Sequence, residues 1–226
     1  MVLEKLPEVS DKPRLSTRLI VAIILGATVL VAAAFAVGRA SVPIEPTPAS
    51  NSAEAGFSRD MQTHHLQAVE MSLIVRDLTD DPEIRLLAYD IATAQAQQAG
   101  QMHAWLSLWG LPQASPEPVM TWMSRPTLEG KLHDHSGDTG KDYVPGDPMP
   151  GLATNEQMET LKSLTGVEAE KYFLELMIAH HIGGVEMAEA ILERSSNRAV
   201  TNLSRGMVVV QEGEINYMRD LLAERQ

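Results

Sequence analysis

Apolar positions along this chain follow two patterns, separated by stretches with neither. The first pattern is continuous: residues 19–38, LIVAIILGATVLVAAAFAVG, carry no charge. At about 1.5 Å per helical residue the run spans about 30 Å, the thickness of a bilayer's hydrocarbon core. The second is periodic. Phe57, Met61, His64, Ala68, Met71, Val75 and Leu78 recur at alternating steps of four and three, one face of a helix with heptad spacing. The turn Thr79-Asp80-Asp81-Pro82 closes that helix, and Asp81 is placed to cap the next, with Pro82 at its first position. The next helix runs to about Trp109, where Gly110-Leu111-Pro112 stops it. Residues 39–52 read as an extended Pro-, Ser- and Ala-rich spacer. Residues 110–153 have no period and hold seven prolines. Thr154 with Gln157 is the signature of a capping box for a short helix to about Leu164.

The periodic pattern occurs twice. Shifted by 116 residues, 57–106 aligns with 173–222 without a gap, at 11 identities in 50. These are Phe57/Phe173, Met61/Met177, His64/His180, His65/His181, Val69/Val185, Glu70/Glu186, Met71/Met187, Leu87/Leu203, Gln95/Gln211, Met102/Met218 and Leu106/Leu222. Two homologous α-hairpins, at about 53–109 and 167–224, predict an all-α four-helix bundle with a pseudo-two-fold axis. The expected organisation is a cytoplasmic segment 1–18, a transmembrane helix 19–38, a linker 39–52 and a bundle domain 53–226 interrupted by loop 110–153. An up-down-up-down bundle needs only a short link between hairpins, so a loop of this length suggests a role of its own.

Charge fixes the expected orientation. Lys5, Lys12, Arg14 and Arg18 precede the apolar run, against Glu4, Glu8 and Asp11, and Arg39 alone follows it closely. The positive-inside rule puts the N-terminus in the cytoplasm and the bundle outside. A signal peptide cleaved after Ala34-Phe35-Ala36 is the alternative. Twenty apolar residues exceed the usual signal core, so an uncleaved anchor is preferred. The net charge of −12 argues against a nucleic-acid partner. The absence of cysteine excludes disulfides, thiolate zinc sites, cysteine nucleophiles and a lipidated N-terminal Cys.

The candidate chemistry lies inside the periodic face. His64 and His180 occupy positions that should be apolar. Counting from the hairpin turns places His64 and His65 level with Gln95 and Gln98, and His180 and His181 level with Gln211 and Glu214. The apolar seam then contains a polar layer. Met61, Met71 and Met102 are expected to border it in one half, with Met177, Met187 and Met218 in the other. Imidazole and thioether together suit soft ions, Cu(I) above all. Met-x-x-His, at Met61/His64 and Met177/His180, puts sulfur and nitrogen on adjacent turns. The competing reading is structural: methionine fills cores freely, and a buried His paired with Gln or Glu can simply fix register. His133 and His135, flanking Asp134 in the loop, form a secondary candidate. No His has Glu three residues before it, as di-iron bundles require. His-Glu-x-x-His, Gly-x-Ser-x-Gly and the P-loop are also absent, so no catalytic residue is assigned.

The segments Phe173 to His181, Val185-Glu186-Met187-Ala188 and Met149-Pro150-Gly151-Leu152-Ala153-Thr154 resemble the signature of the DUF305 family. Phe57 to Met61, His64-His65, Gln95 through Met102, and Trp105-Leu106 are similar to it too. The resemblance covers about residues 53–224. It implies a ferritin-like four-helix bundle, exported or membrane-anchored in bacteria, with some members implicated in copper or silver binding in the envelope. Residue by residue it points to Met61, His64, His65, Met102, Met177, His180, His181, Met187 and Met218 as metal ligands. The expectation is an anchored extracytoplasmic Cu(I)/Ag(I)-binding protein. The alternative is a non-catalytic module docking an envelope protein, its His/Gln layer structural. A carboxylate-bridged redox enzyme ranks last, because fold alone does not confer chemistry.

Overall fold

The computed structural model describes residues 16–41, 46–130 and 144–226. The chain forms two compact units, Met1–Pro46 and Thr47–Gln226. In the first, helix α1 (Thr17–Ala40) starts at Ser16, whose hydroxyl accepts from the Leu19 N–H. Its 24 residues carry a window of mean hydropathy 2.8, and length and composition suffice to cross a membrane.

The second unit is all-helical among the described residues. Helices α2 (Ala53–Leu78) and α3 (Pro82–Leu108) make one hairpin, α5 (Gly166–Leu192) and α6 (Arg198–Ala223) the other, with short α4 (Asn155–Ser163) before α5. Capping residues set these limits. Asp81 accepts from the Glu83 and Ile84 N–H groups at the start of α3. Asn197 accepts from Ala199 and Val200 at the start of α6, 116 residues on. Thr154 and Gln157 form the reciprocal capping box.

Helices α2 and α5 cross in opposite directions at the centre of the bundle. The C-terminal half of α2 (Ala68, Met71, Val75) shares one apolar cluster with the N-terminal half of α5 (Phe173, Leu174, Met177). The N-terminal half of α2 (Phe57, Met61) shares the other with Met187, Ala188 and Ile191 of α5. Two symmetric ties lock the crossing. Glu54, in the first turn of α2, accepts from the Ser195 hydroxyl at 2.7 Å. Glu170, its counterpart in α5, accepts from Thr79, the counterpart of Ser195. Thr79 and Ser195 in turn accept from the N–H of the capping residues Asp81 and Asn197. One end is reinforced further: Arg225 donates to Glu170 at 2.7 Å and to Asp81 at 2.9 Å.

The connection between hairpins is docked on the bundle at two places. A 3-10 helix (Thr121–Ser124) sets Trp122 edge-on against Phe57, ring centroids 5.5 Å apart. Asp60 Oδ2 accepts from the Met120 N–H at 2.8 Å and from the Trp122 indole at 3.0 Å. Burial raises the Asp60 pKa, and these two donors pull it back. The second docked piece, Met149–Ala153, reaches the histidines. His133-Asp134-His135 lies outside the described residues.

Candidate metal centre

Four histidines meet at the crossing. His64 and His65 come from α2, His180 and His181 from α5, and all four are 0% exposed. The His64 and His180 rings lie against each other, centroids 3.8 Å apart. His65 and His181 sit to either side, each 6.3 Å from its sequence neighbour's ring. Successive helix residues differ by about 100° in direction. The first histidine of each pair therefore faces the opposing hairpin and the second faces its own partner helix.

Every imidazole is oriented through Nε2. His64 Nε2 meets the Pro150 carbonyl at 3.0 Å, and His180 Nε2 meets the His64 carbonyl at 2.9 Å. A carbonyl only accepts, so both rings carry their proton on Nε2. His181 Nε2 meets the Glu214 carboxylate at 2.9 Å, and His65 Nε2 meets Gln98 Oε1 at 2.7 Å. All four Nδ1 atoms are buried without a hydrogen-bond partner. In the neutral ring with a proton on Nε2, Nδ1 is a bare lone pair. Burial holds His64 and His180 neutral: it lowers the His64 pKa to about 4, and that of His180 well below its ordinary value. Burial, then repulsion from His64, lowers His65 to about 3. Both polar atoms of the buried Gln95 amide and Oε1 of Gln211 also lack partners. Buried polar atoms in native proteins are nearly always paired, so this concentration sets the layer apart from ordinary core.

Methionine encloses the layer above and below. Met61, Met102 and Met187 lie in the cluster at one end, and Met71, Met177 and Met218 in the cluster at the other. All six are 0% exposed. The expected grouping by hairpin half is replaced by grouping across halves. Because α2 and α5 run in opposite directions, the methionine before one His pair shares an end with the methionine after the other. Each trio thus draws on both hairpins, and the pseudo-two-fold axis exchanges the trios. Among the described residues no three His, Asp or Glu side chains gather in an arrangement that could hold a metal ion by themselves. The donors left over are the four unpartnered Nδ1 nitrogens, with thioethers in the adjoining core.

A strap of loop residues closes one side. Gly151, at φ +74°, passes so near α5 that a Cβ there would lie 2.3 Å from the Ala179 carbonyl oxygen. Gly183 is the reciprocal accommodation: a Cβ on it would lie 2.0 Å from the Pro150 oxygen. Gln67 grips the strap with its whole amide, donating to the Ala153 carbonyl and accepting from the Ala153 N–H, each at 2.8 Å. Replacing Gln67 with Ala removes both bonds. It should lower stability by about 1–2 kcal/mol, read as a shift of the urea midpoint.

Sequence spacing alone places His65 opposite Gln98 and His181 opposite Glu214. It does not reveal the Pro150 acceptor, which comes from a segment without periodicity. His103 is exposed. Glu70 lies on the surface near Lys162 of α4, at 3.7 Å.

The fold has solved counterparts. The chain is similar to the crystal structure of a DUF305 protein from Streptomyces coelicolor classed as secreted. Identity is 51% and the TM-score 0.67, over 78% of this chain and 96% of that one. It is similar to a DUF305 fragment from Deinococcus radiodurans, at 30% identity and TM-score 0.59, over 78% and 99%. It shares its fold with CopM in the Cu(I)-bound form, at 19% identity and TM-score 0.53, over 76% and 96%. No curated protein matches the chain. The family model described as a domain of unknown function, DUF305, matches residues 54–222. The bundle with its paired histidines accordingly belongs to the DUF305 family.

Proposed function

We propose that the bundle binds soft metal ions of the Cu(I)/Ag(I) class as cargo, outside the cytoplasm, and that α1 tethers it to the membrane. One observation carries the metal reading: four buried imidazoles hold their Nε2 protons in hydrogen bonds and leave every Nδ1 lone pair unpartnered. Two neutral donor types suit an ion of low charge, and thioether favours a soft one. The residues that would hold it are His64, His65, His180 and His181, with Met61, Met102, Met177, Met187 and Met218. The bound forms of CopM, with Cu(I), Cu(II) and silver, support the reading through the shared fold. Anchoring rests on the length and hydropathy of α1. Placement outside the cytoplasm is supported by the Streptomyces relative classed as secreted. His133 and His135 remain a secondary candidate pair within this proposal.

The rival is a structural layer in a module that docks an envelope protein. The hydrogen bonds from His64 to Pro150 and from His180 to His64 favour it, because they stitch strap and hairpins together. Cu(I) separates the two readings. A ligand at 100 times its Kd raises native stability by about 2.7 kcal/mol. The melting midpoint of the wild type should therefore climb with Cu(I), and that of a His64→Ala/His180→Ala protein should climb less. A wild-type midpoint indifferent to Cu(I), with no competition against a Cu(I) chelator, returns the layer to a structural role.

A further inference from the structure

The two ends of the bundle are not alike. Residues 91–116 hold no Asp, Glu, Lys or Arg, in a chain of which 21% is charged. The stretch covers most of α3 and the turn after it. Near its end Trp105 and Trp109 stack, centroids 6.2 Å apart, half-buried against the apolar cluster of Phe57 and Met61. Leu108, between them in sequence, is 82% exposed, and Leu111 follows, half-buried. Counting on 116 residues, the positions that match Trp105, Leu108 and Trp109 are Leu221, Glu224 and Arg225. There Leu221 is buried, and Arg225 pairs with Glu170 and Asp81. An indole pair beside an exposed leucine, with no charge to desolvate, is the side-chain chemistry of a membrane–water interface.

Chain connectivity points to what covers this patch. Arg59, 6% exposed, donates from Nη1 to the Ser50 carbonyl at 2.7 Å and from Nη2 to the Pro112 carbonyl at 2.9 Å. It thereby clamps the start of the bundle domain to the segment that leaves Trp109. Nine residues, 41–49, separate Ser50 from the end of α1, a reach of at most about 35 Å. Resting on the membrane tether proposed above, we infer that the patch of Trp105, Leu108, Trp109 and Leu111 seats in the headgroup region of the bilayer that α1 crosses. Tethering makes this second contact intramolecular, so a small apolar area suffices. Glu117, the first acid after the charge-free stretch, is neutralised by Arg125 at 2.7 Å.

The test uses the full chain in phosphatidylcholine vesicles. Its three tryptophans all lie in the bundle domain and none in α1, so native fluorescence reads the bundle alone. Trp122, 2% exposed, supplies a constant background. Lipid brominated near the headgroup should quench wild-type emission, and lipid brominated near the chain end should quench it less. Leu108→Glu, at an exposed position, should keep the wild-type melting midpoint, lose most of the quenching and shift the emission to the red. Leu86→Glu, 62% exposed near the other end of α3, should be quenched as the wild type is. Equal quenching of all three proteins, or none in the wild type, overturns the inference and leaves the tether intact. Emission that responds to protein density in the vesicle rather than to bromine assigns the patch to a second copy of the chain, and overturns it too. A wild type washed from the vesicles by alkali overturns the tether, and the inference falls with it.

Discussion

A Gly183→Ala protein should melt well below the wild type. In the interior of a helix this change ordinarily stabilises by about 0.5–1 kcal/mol, because alanine has less backbone freedom to lose. Here the new methyl would sit 2.0 Å from the Pro150 oxygen, 2.3 Å from its carbonyl carbon and 2.8 Å from the Gly151 nitrogen. All three are backbone atoms, which cannot swing aside as a flexible side chain would. Forcing them apart costs about 1–3 kcal/mol. The displaced strap also takes the Pro150 carbonyl from His64, and an orphaned buried N–H costs about 1–3 kcal/mol more. The strain exceeds the helix gain, for a net loss of about 3 kcal/mol. In a protein of this size that lowers the midpoint by about 6–12 °C. Gly213, on α6 with no atom near its missing Cβ, is the matched control, and Gly213→Ala should hold or raise the midpoint. If the two variants melt alike, the strap does not bear on α5 as described.

Acid should unfold the metal-free protein from a higher pH than its carboxylates would dictate. An unfolded histidine takes up a proton as pH falls through 6.5, whereas folded His64 waits until about 4 and folded His65 until about 3. Between those limits the unfolded chain binds more protons, so stability falls as pH falls and is complete above 6.5. At about 1.4 kcal/mol per pKa unit, His64 alone accounts for roughly 3 kcal/mol. The contributions do not simply add, since charge on one ring repels charge on the next. Asp60 works with the opposite sign: its raised pKa favours the folded state as the carboxyl protonates. Urea midpoints at pH 7, 5.5 and 4.5 measure the slope, and His64→Gln should flatten it. A midpoint constant across that range would mean the imidazoles are not held neutral by burial.

The helices were legible because each is set by local chemistry. Heptad spacing from Phe57 to Leu78, Asp81 ahead of Pro82, and Thr154 ahead of Gln157 fix three starts or faces without tertiary help. The repeat offset carried the reading one level further: with the turns located, counting outward put His65 beside Gln98 and His181 beside Glu214. It stopped where contacts join hairpins. Nothing periodic announces that Met187 lies with Met61 rather than with Met177, because direction of crossing is a tertiary property. Pro150 offers only a backbone carbonyl, which no residue type advertises. The Glu54 and Glu170 ties were missed for another reason. They lie just before the aligned window, and their donors, Ser195 and Thr79, differ in identity while sharing a hydroxyl.

Those ties bear on the protein's origin. The α5–α6 hairpin carries both a Glu of the Glu54/Glu170 type and a hydroxyl of the Thr79/Ser195 type. A single hairpin therefore holds donor and acceptor of the same clasp, with its own His pair and two methionines, Met177 and Met187, between them. Two copies related by a two-fold axis would close both clasps at once, which is the self-complementarity of an isologous dimer. The present chain reads as such a dimer fused into one polypeptide. In one polypeptide the two positions behind the histidines are free to differ, Gln98 in one half and Glu214 in the other: a homodimer must change both positions together, and a tandem copy need not.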